Sequence, residues 1–204
     1  MLYWFSRAIF TVLFKLFFRI RVLGAENIPA AGPFIVAANH VSYLDPVVVG
    51  VASPRRVAFI TRGSLFKNRC FGLLIKSVGA FPLSDGEGSN IAAIRKALGI
   101  LKTNAGLLVF PEGTRSYDGK LRTGLSGVGL IAARAGCPVI PAFVSGTDKA
   151  LPRGAGFIKI ARVSVYFAKA VYPPKSSDKN SYKDFTDRVM REIDVLAAVR
   201  ARKK

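Results

Sequence analysis

The only histidine of the 204-residue chain, His40, lies five residues before Asp45 in the stretch NHVSYLD. A predicted strand precedes this stretch, and a predicted helix follows it, because Pro46 fits a first helical turn, where its missing N–H costs nothing. Loops after the strands of an open α/β sheet are where such sheets bind ligands. In a strand-to-helix turn, Asp45 can fold back onto the imidazole, fix its tautomer and stabilise the imidazolium. The pair fits a general base, worth about 10²–10⁴ in rate, and equally a structural histidine beside a helix cap.

A second candidate turn follows another predicted strand and reads PEGTRS over residues 111–116. Gly113 allows a tight turn with exposed amides, Thr114 supplies a hydroxyl, and Arg115 carries a planar fork suited to a phosphate. Glu112 is an acceptor for substrate hydroxyls or an anchor for Arg115. Taken by itself, this segment is better explained as a surface turn with a salt bridge.

Other catalytic chemistries find little support in the sequence. One histidine and two distant cysteines, Cys70 and Cys137, do not make a zinc site. The nearest approach to the Gly-x-Ser-x-Gly elbow of serine hydrolases, at 124–128, lacks the last glycine. Walker and Rossmann fingerprints are missing from the sequence. The sequence therefore predicts no metal and no tightly bound cofactor, and leaves a His/Asp base acting on a substrate hydroxyl.

The elements that must position these loops alternate between short apolar runs and amphipathic segments. Strands are predicted at 33–38, 57–61, 106–110, 139–144 and 163–167, and helices at 45–52, 68–78, 89–103, 124–135 and 181–200. Ser89 is a predicted N-cap, and Gly136 a predicted left-handed residue after its helix. This alternation predicts a single α/β domain over residues 24–204, with a mostly parallel mixed sheet flanked by helices and a basic amphipathic helix at its end.

The composition indicates an anionic partner. Lys and Arg number 31 against 12 Asp and Glu, a formal net charge of +19, while half of the residues are hydrophobic. Disordered chains combine high charge with low hydrophobicity, so disorder is excluded. A phospholipid surface suits a chain that is both apolar and cationic.

Residues 1–23 are predicted to form a membrane-associating helix at the bilayer interface. Arg7, Thr11, Lys15 and Arg19 fall on one polar stripe, and the rest of the helix surface is aromatic or aliphatic. We rank this interpretation ahead of a helix packed on its own domain, a transmembrane span and a cleaved signal peptide. The predicted location is the cytoplasmic face of the cell membrane.

The two candidate loops together resemble a known enzyme family. Asn39-His40 with Asp45, followed by the segment 110–116, is similar to the first and third sequence blocks of the glycerolipid acyltransferases. The likeness is greatest to the bacterial 1-acyl-sn-glycerol-3-phosphate acyltransferases. The segment 139–142, VIPA, resembles the less diagnostic fourth block. The resemblance extends from the basic N-terminal segment to about Pro173.

This resemblance implies a reaction and a role for each loop. The acceptor would be the lysophospholipid 1-acyl-sn-glycerol 3-phosphate. His40 would deprotonate its sn-2 hydroxyl, and the hydroxyl oxygen would attack the acyl thioester directly. Asp45 would hold the histidine. Residues 112–115 would bind the glycerol phosphate, and Arg62 aligns with a basic position that contacts the acceptor phosphate in many relatives. The donor would be acyl-CoA or acyl carrier protein, and the product phosphatidic acid of phospholipid biosynthesis.

The second block departs from the family pattern and keeps alternatives open. GAFP at 79–82 continues into Leu83, Ser84 and Asp85, so an acid replaces the usual arginine. A different lysolipid acceptor is therefore one alternative. A non-catalytic membrane-associated or nucleic-acid-binding basic protein is another, although the sequence carries no recognised nucleic-acid reader motif and no nucleic-acid partner is predicted.

Overall fold

The apolar runs of the sequence pair into one sheet in the computed structural model, which describes residues 2–83, 90–173 and 178–202. The strands are β1 (Arg21–Leu23), β2 (Phe34–Ala38), β3 (Val57–Arg62), β4 (Ala80–Leu83), β5 (Gly106–Val109), β6 (Val139–Ser145) and β7 (Ser164–Phe167). Their order across the sheet is β1-β7-β6-β2-β5-β3-β4. Strands β6, β2, β5, β3 and β4 run parallel, and β7 pairs antiparallel with β6 and parallel with β1. The predicted mostly parallel, mixed α/β sheet is confirmed.

The helices that connect these strands are α1 (Leu2–Phe18), α2 (Asp45–Ala52), α3 (Arg69–Ser77), α4 (Asn90–Leu101), α5 (Gly127–Ala135), α6 (Thr147–Ala150) and α7 (Lys179–Arg202). Helix α2 begins and ends where the sequence predicts, and the ends of the other helices predicted within residues 24–204 lie within three residues of the observed ones. The helix predicted over residues 1–23 is too long: α1 ends at Phe18, and Arg21–Leu23 form β1, which pairs with β7 and belongs to the sheet. Gly136 has the predicted left-handed conformation, with φ 60°. Ser84, Asp85 and Ser89 lie outside the described residues.

Two strands and one helix escaped prediction because they are short. Strands β1 and β4 have three and four residues, lie at the edges of the sheet, and pair on one side only. Pro82 lies in β4, where an edge position tolerates a residue that lacks a ladder N–H. Helix α6 is a single turn of four residues. Such segments are too short to show a hydrophobic period.

Both faces of the sheet are covered, and the alternation of side chains along β2 shows it. Phe34, Val36 and Ala38 pack into one apolar cluster with α1 and α2, whereas Ile35 and Ala37 pack into a second with α4, α5 and α7. All five β2 residues are fully buried. The sheet is therefore a rigid central layer, and its strand ends hold the loops that follow them.

Helix α1 packs one face against the domain and exposes the other. Tyr3 and Phe14 are buried, and the Arg7 side chain donates hydrogen bonds to the carbonyl oxygens of Gly50, Val51 and Ser53 at the end of α2. Arg7 therefore faces the protein. The exposed large apolar side chains of α1 are Trp4, Phe5, Ile9, Val12, Leu13, Leu16 and Phe17. Within residues 2–83, 90–173 and 178–202, no helix is long and apolar enough to cross a bilayer.

Candidate active site

The two loops singled out from the sequence lie side by side. Strands β2 and β5 are parallel neighbours, so residues 39–45 and 110–116 leave the sheet at the same edge. The Ser116 N–H donates to the carbonyl oxygen of His40 at 2.7 Å, and the His40 N–H donates to Glu112 Oε1 at 2.9 Å. These two hydrogen bonds fix the backbone of His40 against the second loop.

Asp45 binds the imidazole of His40. Its Oδ2 lies 2.8 Å from His40 Nδ1 and also accepts the backbone N–H groups of Val41 (2.7 Å) and Ser42 (2.8 Å). Asp45 is fully buried as the first residue of α2. Because three groups converge on one oxygen, the carboxylate cannot rotate without losing several hydrogen bonds. Nδ1 is thus held by Asp45, and Nε2 is the ring nitrogen that can accept a proton.

Phe110, the residue directly after β5, holds the other side of the ring. The two rings are stacked with centroids 3.9 Å apart and an interplanar angle of 13°. The His40 side chain keeps 16% of its surface exposed. The imidazole is therefore oriented by Asp45 and Phe110 and remains accessible to a substrate at one edge. The sequence places Phe110 in the segment 110–116 but predicts no contact with His40, since an aromatic residue at a strand end is ordinarily part of the core.

Glu112 accepts hydrogen bonds from the backbone of both sides of the site. Oε1 accepts the His40 N–H at 2.9 Å, and Oε2 accepts the Arg122 N–H at 3.1 Å. Glu112 is buried, and this burial raises the pKa of its carboxyl above the ordinary value, against the lowering effect of the two N–H groups. The sequence predicts contact of Glu112 with a substrate hydroxyl or with Arg115. The observed hydrogen bonds instead tie the two loops together.

Residues 113–115 of the turn are more exposed than Glu112, whereas Ser116 is buried. Gly113 has φ 69°, a conformation that side chains disfavour, and Thr114 is exposed beside it. The half-buried Arg115 places its guanidinium 3.6 Å from the ring centroid of Tyr43, a residue of the first loop. This cation–π contact sets a positive charge over the loop that carries His40.

Arg62 occupies the same edge of the sheet at the end of β3. Since β3 pairs with β5 on the side away from β2, Arg62 lies two strands from the His40 loop, about 10 Å at the usual strand spacing. Its side chain is exposed. Arg115 and Arg62 therefore follow β5 and β3 at the same edge of the sheet as the His40 loop.

A further arginine, not singled out from the sequence, supports this edge. Arg153 follows α6, donates to the carbonyl oxygen of Arg115 at 3.3 Å and to the Tyr117 hydroxyl at 2.8 Å, and stacks 3.6 Å from the Tyr117 ring centroid. The sequence feature that could have indicated Arg153 is its position as a cation in a loop that follows another parallel strand, β6.

The buried Asn39 side chain donates a hydrogen bond to the backbone of Val144 and accepts one from it. These two hydrogen bonds join the ends of β2 and β6.

The fold and site define a class of protein: an α/β domain with a carboxylate-held histidine and nearby arginines at the carboxyl edge of its sheet. The Acyltransferase family model matches residues 19–145, which include both loops. The chain belongs to the acyltransferase family. The predicted resemblance is thereby confirmed.

Individual relatives are consistent with this membership. The chain is 31% identical over 163 residues to the chloroplast 1-acyl-sn-glycerol-3-phosphate acyltransferase BAT2 of Brassica napus, covering 78% of this chain and 47% of that protein. A Bacillus subtilis 1-acyl-sn-glycerol-3-phosphate acyltransferase is 31% identical over 129 residues, or 62% of this chain and 63% of that protein. The chain spans about half the length of the chloroplast relatives that it matches.

A solved structure extends the likeness over nearly the whole chain. The crystal structure of the 1-acyl-sn-glycerophosphate acyltransferase PlsC from Thermotoga maritima superposes with a TM-score of 0.76 at 30% sequence identity. The match covers 97% of this chain and 78% of that one.

Proposed function

We propose that this protein transfers a fatty acyl group from a thioester to the sn-2 hydroxyl of 1-acyl-sn-glycerol 3-phosphate. The observation that carries the proposal is the 2.8 Å contact between His40 Nδ1 and Asp45 Oδ2 beside the 111–116 turn. Relatives that bear the name of this reaction support the choice of acceptor. The donor is acyl-CoA or acyl carrier protein.

In this mechanism His40 acts as a general base. His40 Nε2 takes the proton of the acceptor hydroxyl while the hydroxyl oxygen attacks the thioester carbonyl carbon. The C–S bond then breaks, the sulfur leaves as a thiolate, and the imidazolium returns its proton to that sulfur. The products are an ester and a free thiol, and the histidine is regenerated. Asp45 stabilises the imidazolium during transfer, and general-base catalysis by His40 contributes about 10²–10⁴ in rate.

The acceptor phosphate binds at the arginines of the same edge. Arg115 lies over Tyr43 of the His40 loop, and Arg62 lies at the end of β3. A guanidinium presents paired donors to phosphate oxygens. The turn at Gly113 and Thr114 lies next to Arg115 and adds backbone and hydroxyl donors. Holding the phosphate at this side leaves the glycerol hydroxyl to reach His40.

The exposed apolar face of α1 and the net charge of +19 support a location on an anionic phospholipid surface. An amphipathic helix with this composition lies in the interfacial plane. We place the protein at the cytoplasmic face of the cell membrane, where a water-soluble thioester donor meets a lysolipid.

Crossing donors with acceptors tests the proposal. Each reaction contains purified protein, one donor and one acceptor. The donor is acyl-CoA or acyl carrier protein that carries a labelled acyl group. The acceptor is lysophosphatidic acid, lysophosphatidylglycerol, lysophosphatidylethanolamine or glycerol 3-phosphate. We expect phosphatidic acid from lysophosphatidic acid at a rate at least tenfold above the other acceptors. Preference for another lysolipid would establish the alternative acceptor indicated by Asp85. Absence of transfer from both donors, with salt-sensitive oligonucleotide binding, would favour a basic binding protein.

A further inference from the structure

A second exposed apolar surface lies in the connection between α6 and β7. Phe157, Ile158 and Ile160 are exposed to 67%, 56% and 79%. We call residues 157–160 the apolar loop. Three large apolar side chains exposed within four residues form a patch of the kind that marks an interaction site. The proposed transfer reaction gives these side chains no role.

The connection that carries the apolar loop extends from the active-site edge to α1. At its beginning, Arg153 donates to the carbonyl oxygen of Arg115 in the second active-site loop. At its end, the Val163 N–H donates to the carbonyl oxygen of Phe18, the last residue of α1, at 3.0 Å. The apolar loop therefore lies between the candidate active site and the C-terminal end of α1.

The end of α1 that this connection reaches is itself apolar and exposed. Leu16 and Phe17 expose about 69% and 49% of their surface one or two residues before the bonded Phe18. The apolar loop thus lies three residues before Val163, whose backbone contacts the end of α1. Leu16, Phe17 and the apolar side chains of the loop do not belong to the buried clusters on the two faces of the sheet.

The charge around the apolar loop indicates what covers it. The sequence has no acidic residue between Asp148 and Asp178. Three cations, Arg153, Lys159 and Arg162, lie within or close to the apolar loop. Lys159 Nζ lies 5.5 Å from the Phe157 ring centroid. Aromatic and aliphatic side chains mixed with cations match the interface of an anionic bilayer, where the apolar parts insert and the cations meet the headgroups.

We propose that the apolar loop inserts into an anionic membrane beside the last turn of α1 and turns the carboxyl edge of the sheet toward the lipid. The exposed apolar face of α1 sets which side of the domain meets the lipid, and a second contact away from the helix axis adds to that orientation. The loop then presents His40 to an acceptor lying in the bilayer. This inference rests on the membrane location proposed above.

A fluorescent label tests insertion directly. Ile158→Cys and the control Val195→Cys are made in a Cys70→Ser background, because Cys70 is exposed and Cys137 is buried. Val195 is 57% exposed on α7, which packs on the opposite face of the sheet from α1. Each variant carries an environment-sensitive fluorophore and is mixed with phosphatidylcholine vesicles with or without phosphatidylglycerol.

We expect the label at 158 to shift to the blue and to be quenched by lipid-borne spin labels when phosphatidylglycerol is present, and the label at 195 to stay unchanged. A label at 158 that stays in water while the protein is bound to vesicles would overturn the proposal. So would a label that is already shielded without vesicles in a dimer detected by light scattering, since the loop would then be an interface between copies. These outcomes do not depend on acyl transfer.

A kinetic comparison tests the consequence for function. In the double variant Phe157→Ser, Ile160→Ser, we expect transfer to lysophosphatidic acid in vesicles to fall about tenfold, and transfer to a short-chain, monomeric acceptor to stay within twofold of wild type. Val195→Ser is the matched control and should change neither rate. Equal losses on both acceptors would contradict a membrane role, because the loop would then act on the reaction itself. An unchanged vesicle rate would contradict it as well.

Discussion

Replacing Glu112 by alanine separates a residue that holds two loops together from one that binds substrate. The substitution removes the acceptor of two backbone N–H groups, on His40 at 2.9 Å and on Arg122 at 3.1 Å. An unpaired buried donor costs about 1–3 kcal/mol, but both of these hydrogen bonds are partly buried and Arg122 is exposed, so we expect a loss of about 2 kcal/mol in the free energy of unfolding. Because one donor belongs to His40 itself, we also expect kcat to fall.

The assay combines urea unfolding, followed by circular dichroism, with steady-state kinetics. Glu112→Gln retains one acceptor oxygen, so its decrease in kcat should be roughly half of the decrease in Glu112→Ala, measured on a logarithmic scale. Arg115→Ala lies on the same turn and gives up a cation–π contact with Tyr43, which predicts a loss of about 1 kcal/mol or less. A Glu112→Ala variant as stable as wild type, with a raised acceptor KM and an unchanged kcat, would refute this reasoning and place Glu112 on the substrate.

The same residue predicts a pH dependence. Burial raises the pKa of Glu112, so the folded chain holds this proton more tightly than the unfolded chain. The contribution of Glu112 to the free energy of unfolding is therefore largest below the ordinary glutamate pKa and falls as the pH rises through the folded value. Carbon-13 NMR should find the titration midpoint of this carboxyl above that of the urea-unfolded chain. A midpoint at or below it would contradict the burial.

Arg115→Ala should raise the acceptor KM about tenfold, more than the donor KM, since the guanidinium is placed to meet a phosphate; a larger donor effect would reassign the turn. Gly113→Ala should lower the Tm by several degrees, because φ is 69° and a Cβ would lie 2.8 Å from Leu125 Cδ1; an unchanged Tm would contradict this turn. Burial raises the pKa of Cys137 to about 11, so mass spectrometry should find only Cys70 alkylated in the native chain, and rapid Cys137 labelling would contradict its burial.

The local part of the site could be predicted from the sequence. Pro46 and the strand before His40 predict a strand-to-helix turn, and α2 begins at Asp45 as expected. Since His40 and Asp45 belong to one short loop, their contact depends on nearby backbone alone. The predicted α/β sheet is equally local in origin, because alternation of strands and helices is a property of neighbouring segments.

Contacts between distant segments could not be predicted in the same way. Parallel strands bring all their following loops to one edge, but hydrophobic periodicity does not say that β2 and β5 are neighbours. The stacking of Phe110 on His40 depends on that neighbour relation, and so does the hydrogen bond from His40 N–H to Glu112. Arg7 is a similar case, since a polar stripe on α1 does not reveal that this residue faces α2.

The claim that His40 is the general base is tested most directly by His40→Ala, assayed with labelled acyl-CoA and lysophosphatidic acid. The backbone N–H groups of His40, Val41 and Ser42 stay bonded to Glu112 and Asp45 without the imidazole, so the loop and the circular dichroism spectrum should be retained. We predict that kcat falls at least 10²-fold, the smallest contribution expected of a positioned base. A folded variant that transfers the acyl group within a few-fold of the wild-type rate would contradict the account.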